Sequence, residues 1–271
     1  MRGKSQESRD RVLRAFDPVA TAVGKGGVAL AGELFAFVDT LDGSGSLRRA
    51  LTDPARSAKD KGTVVDSLLA RSDSRVRDVV RDFVAQRWSA EADLAESIED
   101  AGVLALLASA EADGSLDAVE EQLFRLERAL VAERELLVAL GDRLAPRASR
   151  AALLSQVLAG AKLAPVTLAL VDRAVAAPRG SRLITTIKRL VILAAERRNR
   201  AVAQVTAAVE LSAAQRTRLA QILKAAYGRE VHINVAVDPQ VLGGIKVQVG
   251  SEVVDGTVLA RLDDARRRLV G

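Results

Sequence analysis

The sequence lacks cysteine altogether, and among its 271 residues it has one histidine, His232, and few aromatic side chains. Without cysteine there is neither a disulfide nor a thiolate metal site. One imidazole supplies neither a metal-ligand set nor an acid–base pair, because both need partner groups. The sequence also has no P-loop pattern and no GxSxG elbow. These residues predict a protein that is not an enzyme and that uses no metal or cofactor.

Long apolar runs are missing as well. The sequence contains no uninterrupted apolar stretch of about 18 residues, the length at which a membrane span is expected. Its first residues lack the apolar core of a secretory signal. We therefore expect a soluble cytoplasmic protein that does not itself cross a membrane.

The positive charge of this chain is not gathered in one region. Net charge is +5 and the pI is about 9.9, values that by themselves would suit a nucleic-acid binder. However, residues 90–135 carry 13 acidic and 3 basic side chains, and residues 136–200 carry 12 basic and 3 acidic ones. Nucleic-acid binders usually concentrate positive charge on one face, often with aromatic side chains. Successive acidic and basic segments instead favour pairing with each other or with protein partners, so no nucleic-acid partner is expected.

The abundant residues are Ala, Leu, Val and Arg, and their apolar positions follow the helical period over most of the chain. Glycine and proline residues mark the breaks between helices. The first 89 residues predict helices over 5–21, 27–41, 47–51, 58–70 and 74–87. Residues 90–200 predict helices over 94–112, 116–133, 136–140, 147–158, 166–176 and 182–200.

The predicted helices contain an internal repeat. At an offset of 89 residues, Glu33-Leu34-Phe35 aligns with Gln122-Leu123-Phe124, and Leu51 aligns with Leu140. Apolar positions coincide through four predicted helices without a gap. Two amphipathic helices can align by chance, but four in one register favour a duplicated unit. The segment 94–112 is apolar on nearly every side, which predicts a helix shared between both units.

In the last 70 residues the apolar period changes from helical to two. Val205, Ala207 and Val209 predict a first strand, which is followed by a capping box at Ser212 and Gln215 and by a helix. Two further alternating runs, 231–237 and 245–249, predict strands, and Gly250-Ser251 suits a hairpin turn. A reversal at Asp255-Gly256 then leads to a basic terminal helix.

This C-terminal pattern resembles the signature of the delta subunit of F-type ATP synthases, the family of the mitochondrial oligomycin-sensitivity-conferring protein. The signature positions are Asp238, Gly243, Gly244, Gly250, Asp255 and Gly256. We expect them to be architectural, since they set bends and turns. The implied fold is mainly α: a six-helix-type bundle at 90–200 and a small C-terminal α/β domain with a β-hairpin at 201–271. The resemblance implies that residues 1–89 are a second, related helical unit before the bundle, an extension associated with actinobacterial forms.

The resemblance implies a non-catalytic stator subunit of the peripheral stalk, at the cytoplasmic face of the cell membrane and attached to it only through the complex. Its implied partners are the N-terminal helices of the alpha subunits, which bind the helical bundle, and the b-type stalk subunits, which bind the C-terminal domain. The implied head-binding groove lies between the first and fifth helices of the bundle. Candidate groove residues are Val103, Leu106, Leu107, Leu170 and Ala174.

Two alternatives stay open at this point. Each candidate groove residue, taken singly, could equally be an internal core contact. The whole chain could also be a helical-repeat adaptor unrelated to ATP synthase that docks other peptides. The sequence does not explain why the helical unit is doubled.

Overall fold

The computed structural model describes residues 3–178, 182–200, 202–227, 231–238, 241, 243–249 and 252–255. Within these residues the chain is mainly helical and ends in a small mixed sheet, as the sequence predicts. It divides into two compact units, Met1–Val191 and Ile192–Gly271. The finer predicted division of the helical part, into 1–89 and 90–200, stays a prediction.

Every helix predicted up to residue 200 is present, with bounds that differ from the prediction by three residues or fewer. A short 3-10 turn, Gly24–Gly26, joins the first two helices. The helices are α1 (Gly3–Val23), α2 (Gly27–Gly43), α3 (Gly45–Thr52), α4 (Ala58–Leu68), α5 (Ser74–Ala85), α6 (Glu91–Asp113), α7 (Leu116–Ala132), α8 (Arg134–Gly141), α9 (Arg147–Val157), α10 (Pro165–Ala176) and α11 (Leu183–Arg200).

The helix bounds themselves repeat. Helices α2, α3 and α4 begin and end 89 residues before α7, α8 and α9, and the members of each pair have the same length. Helices α5 and α10 both have 12 residues, at an offset of 91. The alignment of apolar residues in the sequence therefore corresponds to an alignment of helices, which supports a duplicated unit.

Helix α6 is the centre of the helical unit. Fifteen of its 23 residues are buried, and they lie on all of its sides. It contacts α1, α2, α3 and α5 from the first repeat and α7 and α10 from the second. The prediction that this helix is shared between both repeats is confirmed, since only a helix apolar all round can be covered on opposite faces. It ends at Gly114, whose φ of 76° is a left-handed cap.

One helical stretch, Gly3–Gly43, is long and apolar enough to cross a membrane by length and composition. This test is also passed by core helices of soluble proteins. Here the stretch is interrupted by the 3-10 turn, and its second half, α2, packs along α6. The expectation that no helix of this chain crosses a membrane stays a prediction.

The C-terminal module contains β1 (Val202–Ala207), α12 (Ala213–Tyr227), β2 (His232–Val237), β3 (Ile245–Val249) and β4 (Glu252–Asp255). The strand order is β2-β1-β3-β4: β1 pairs with β2 in parallel and with β3 antiparallel, and β3 and β4 form the hairpin. Its core includes Val205, Leu219, Leu223 and Val247. The predicted reversal at Gly256 and the terminal helix lie outside the described residues.

The sequence predicted the end of β1 and the start of α12. The first strand ends at Ala207, so the prediction that it includes Val209 was wrong: this side chain follows the strand and is exposed. The capping box is confirmed, because Ser212 N donates to Gln215 Oε1 at 2.8 Å and Gln215 N donates to Ser212 Oγ at 3.3 Å. These two bonds satisfy backbone donors at the start of α12.

Candidate functional site

The five predicted groove residues lie on two neighbouring helices that contact each other, α6 and α10. All five are buried within the chain: Val103, Leu106, Leu107, Leu170 and Ala174. In this structure they occupy the position of internal core contacts, the alternative that the sequence left open. Another protein could reach them only if the covering helices moved.

Helix α2 of the first repeat lies against these same two helices. A Cβ atom on Gly102 of α6 would lie 2.3 Å from Cε1 of Phe35, so the ring approaches the α6 backbone as only glycine permits. On its other side, Arg173 of α10 has its Cζ 4.7 Å from the centroid of the Phe35 ring. Phe35 therefore joins the first repeat to both helices of the predicted groove.

Arg173 is also the centre of the first of two partly buried charge clusters. The Arg173 side chain is 7% exposed. Its Nε and Nη2 each donate to Glu99 of α6 at 2.7 Å, and its Nη1 donates to Asp39 of α2 at 2.7 Å. Arg147 donates to the other Asp39 oxygen at 3.0 Å. Desolvation raises the pKa of Asp39, but the hydrogen bonds from Arg173 and Arg147 outweigh it and hold that pKa below its ordinary value. This Arg173 cluster ties α2, α6 and α10 together.

The second cluster is centred on Asp100, the next residue of α6. Its Oδ2 lies 2.8 Å from Nε of Arg9 in α1, although the N–H is not aimed at the oxygen, and its Oδ1 accepts from Arg189 of α11. Burial raises the pKa of Asp100, and the two arginines oppose that shift. Adjacent acids on α6 thus bind arginines from both repeats.

These contacts explain the charge pattern of the sequence. Acidic residues of the segment 90–135 pair with basic residues of 136–200, as Glu99 does with Arg173, Asp100 with Arg189 and, at 3.9 Å, Glu127 with Lys188. Of the two alternatives that the sequence left open, pairing with each other or with protein partners, the structure shows the first for these residues. Sequence reasoning did not identify Phe35, Gly102 and Arg173 as a contact, although a glycine in the middle of an apolar helix is a signal of close approach.

The signature positions of the C-terminal module that the structure describes lie at strand ends. The amide of Asp238 donates to the Ala207 carbonyl at 2.9 Å directly after β2. Gly243 and Gly244 have φ of 70° and 82°, a left-handed backbone that suits glycine, just before β3. Asp255 pairs with Lys246 in the hairpin register. Gly250 and Gly256 lie outside the described residues.

A cleft of about 580 Å³ lies beside Trp88. Arg49, Arg56, Asp53 and Glu91 line it together with small residues. Its charged groups are mixed in sign, and Asp53 lies 4.0 Å from Arg56 within it. Among the described residues no group of three or more His, Asp or Glu side chains is placed to hold a metal ion.

The geometry defines a class of protein: a mainly helical unit with internal ion pairs, joined to a small α/β module. Residues 103–269 match the family model of the ATP synthase delta (OSCP) subunit. The ATP synthase subunit delta of Beutenbergia cavernae is 48% identical over 272 residues, covering 100% of both chains. Those of Streptomyces avermitilis and Streptomyces griseus are 42% and 41% identical, covering 98% and 100% of both chains.

The chain belongs to the ATP synthase delta (OSCP) subunit family. It is a non-catalytic peripheral-stalk subunit of the F-type ATP synthase and a peripheral part of that membrane-bound complex. An unrelated helical adaptor is not supported. The match to the family model begins at residue 103, within α6. The Beutenbergia cavernae subunit, however, aligns over the whole chain, so its similarity extends over the first helical repeat.

Proposed function

We propose that this chain ties the catalytic head of the synthase to the peripheral stalk, at the cytoplasmic face of the membrane. The helical unit binds the N-terminal helices of the alpha subunits, and the C-terminal module binds the b-type stalk subunits. The observation that carries the proposal is the full-length similarity to ATP synthase delta subunits. Membrane attachment is then through the complex alone.

The action is mechanical. Rotation of the central rotor exerts torque on the head, and the head must be held still for rotation to change its catalytic sites. A tether needs affinity and stiffness rather than a reactive side chain. Stiffness is supported by α6, which has buried residues on all of its sides, and by the clusters of Arg173 and Asp100. These ion pairs join α6 to α1, α10 and α11, and Arg173 also joins α10 to α2.

The doubled helical unit fits the same role. Residues 1–89 form an extra unit, residues 90–200 the bundle common to the family, and residues 201–271 the stalk-binding domain. The extra unit braces the stalk along its length. Support for this comes from α1, which Arg9 ties to Asp100 of α6, and from α2, which packs along α6 and pairs through Asp39 with Arg173 of α10.

Membrane vesicles that contain the synthase without this chain test the proposed function. We expect their heads to hydrolyse ATP without pumping protons, and we expect the purified chain to restore pumping when it is added back. The quenching of a pH-sensitive dye reports pumping, and phosphate release reports hydrolysis. Full ATP-driven pumping in vesicles that lack the chain would contradict the stator role.

Residues 1–89 can be tested in the same system. A chain that begins at residue 90 loses the helices that cover α6, so its fold must first be compared by circular dichroism. We expect weaker binding to the isolated b-type subunits, measured by sedimentation. Unchanged affinity of the folded variant would contradict the bracing role and leave the stator role standing.

A further inference from the structure

The cleft beside Trp88, called here the Trp88 cleft, belongs to the first repeat and to the start of α6. Its lining residues come from α3, from the connection that follows α3, and from the connection between α5 and α6. All of them precede residue 103, where the match to the family model begins. A contact made in this cleft is therefore additional to any contact made by the part of the chain that the family model covers.

The side chains that distinguish the Trp88 cleft are missing from the second repeat. Helices α3 and α8 have the same length at an offset of 89 residues, but Arg49 corresponds to Val138 and Arg56 corresponds to Ala145. Trp88 is the single tryptophan of the sequence, so it has no counterpart either. Because α8 forms without these side chains, the repeated fold does not require two arginines and a tryptophan at this place.

The two acids of the Trp88 cleft leave its arginines available to a partner. Asp53 Oδ1 accepts from the amide of Ala55 at 2.8 Å, and Asp53 Oδ2 lies 4.0 Å from Nε of Arg56. Glu91 lies in the first turn of α6, where the helix dipole stabilises its charge. The guanidinium of Arg49 makes no hydrogen bond or ion pair with any residue that the structure describes. Arg49 and Arg56 therefore present N–H groups that a carboxylate of a partner can accept.

Trp88 supplies an apolar wall beside these donors. Its indole N–H donates to the Phe83 carbonyl at 3.0 Å, and the centroids of the two rings are 6.3 Å apart. These contacts fix the orientation of the indole, so little side-chain entropy is lost when a partner packs against it. Tryptophan and arginine are also the side chains most often found as energetic anchors of protein interfaces. The cleft therefore suits a protein segment that carries a carboxylate next to an apolar side chain.

We propose that the first repeat braces the stalk through the Trp88 cleft: an acidic segment of a b-type subunit presents a carboxylate to Arg49 and Arg56, and a neighbouring apolar side chain packs on Trp88. Charge complementarity selects an acidic segment, because the available hydrogen-bonding groups of the cleft are guanidinium donors. The inference rests on the function proposed above, which assigns residues 1–89 to the stalk, and it adds the site and the chemistry of that contact.

The test uses the full chain, with the isolated b-type subunits as the probe. Because Trp88 is the single tryptophan, biosynthetic labelling with a fluorinated tryptophan gives the chain one fluorine NMR signal, which reports on the cleft. We expect this signal to shift when the b-type subunits are added, and the shift to be lost in the double variant Arg49→Glu/Arg56→Glu. The same variant should bind the subunits about tenfold more weakly in sedimentation, the effect of losing an interface anchor.

Arg14→Glu/Arg71→Glu is the matched control. It removes two exposed arginines of the first repeat that do not line the cleft, and it changes the net charge equally, so the signal shift and the affinity should stay as in the unaltered chain. Equal weakening by both double variants would mean general charge attraction and would overturn the cleft. A fluorine signal that does not move while the b-type subunits bind would also overturn it and leave the tether standing. If the unaltered chain did not bind the b-type subunits, the proposed function would fall as well.

Discussion

Replacing Arg173 by methionine removes the side chain that joins the two repeats most directly. Methionine keeps the apolar length of the arginine stem but donates no hydrogen bond. The variant loses the paired hydrogen bonds to Glu99, the bond to Asp39 and the cation–π contact with the Phe35 ring. Because Arg173 is buried, these contacts are poorly screened by solvent.

The expected loss of stability follows from the burial of Arg173. Removing one partner of a buried ion pair costs about 3–5 kcal/mol. Asp39 is 37% exposed, so its share must be discounted toward the value of a surface pair. We therefore expect Arg173→Met to lower the free energy of unfolding by about 2–3 kcal/mol. Arg147→Met is the matched control: it removes a donor to the same Asp39, but Arg147 is 57% exposed, so the cost is about 0–1 kcal/mol.

Urea unfolding measures both variants. Circular dichroism follows all helices, and the single tryptophan, Trp88, whose indole N–H donates to the Phe83 carbonyl at 3.0 Å, reports on the first repeat. At a slope of about 3 kcal/mol per molar urea, the midpoint of Arg173→Met should fall by about 1 M. Both signals should shift together, because α6 belongs to both repeats.

Equal midpoints for Arg173→Met and Arg147→Met would refute this reasoning. A double-mutant cycle with Asp39→Asn isolates the link between repeats. We expect a coupling energy of about 1 kcal/mol, as for residues in direct contact. Coupling below about 0.3 kcal/mol would mean that the two side chains act independently.

Two further predictions concern backbone approach and pH. Gly102→Ala places a methyl group against the Phe35 ring and should lower the free energy of unfolding by about 1–3 kcal/mol, measured by urea unfolding. The control Gly32→Ala adds its methyl group to open space on α2 and should leave stability unchanged or slightly higher. Equal effects of the two substitutions would contradict the close approach of Phe35 to α6. Side-chain hydrogen bonds from Arg75 lower the pKa of Asp73 from 3.8 to about 2, so the stability contributed by this carboxylate is complete above pH 3.8 and is lost as the pH falls toward 2. The stability difference from Asp73→Asn should shrink over that window, and an NMR midpoint of Asp73 near its ordinary value would contradict the assignment.

Much of the fold could be predicted because its signals are local. The helical period and the glycine and proline breaks located every helix up to residue 200, and Ser212 with Gln215 marked the start of α12. The end of the first strand could not be predicted from the sequence in the same way. Val209 continues the alternation of β1 in the sequence, but the pairing of β1 with β2 and β3 stops at Ala207, and pairing depends on strands distant in the chain.

The candidate groove shows the limit of this reasoning. The sequence identifies Leu106 and Leu170 as apolar positions on helices, but it does not say which surface covers them. A buried core position and an open groove have the same apolar period, and they differ only in what packs on top. Phe35 is separated from α10 by more than a hundred residues, so no local pattern links them.

The sequence by itself determined the periodicities: which segments are helices and strands, and the 89-residue offset at which apolar positions recur. It left open whether the acidic and basic segments pair with each other or with partners. Tertiary structure alone decided which of two equivalent faces is covered. Phe35 is covered by Arg173, whereas Phe124, its counterpart 89 residues later, is 52% exposed. Neighbours in space, and not the residue itself, set the exposure of a side chain.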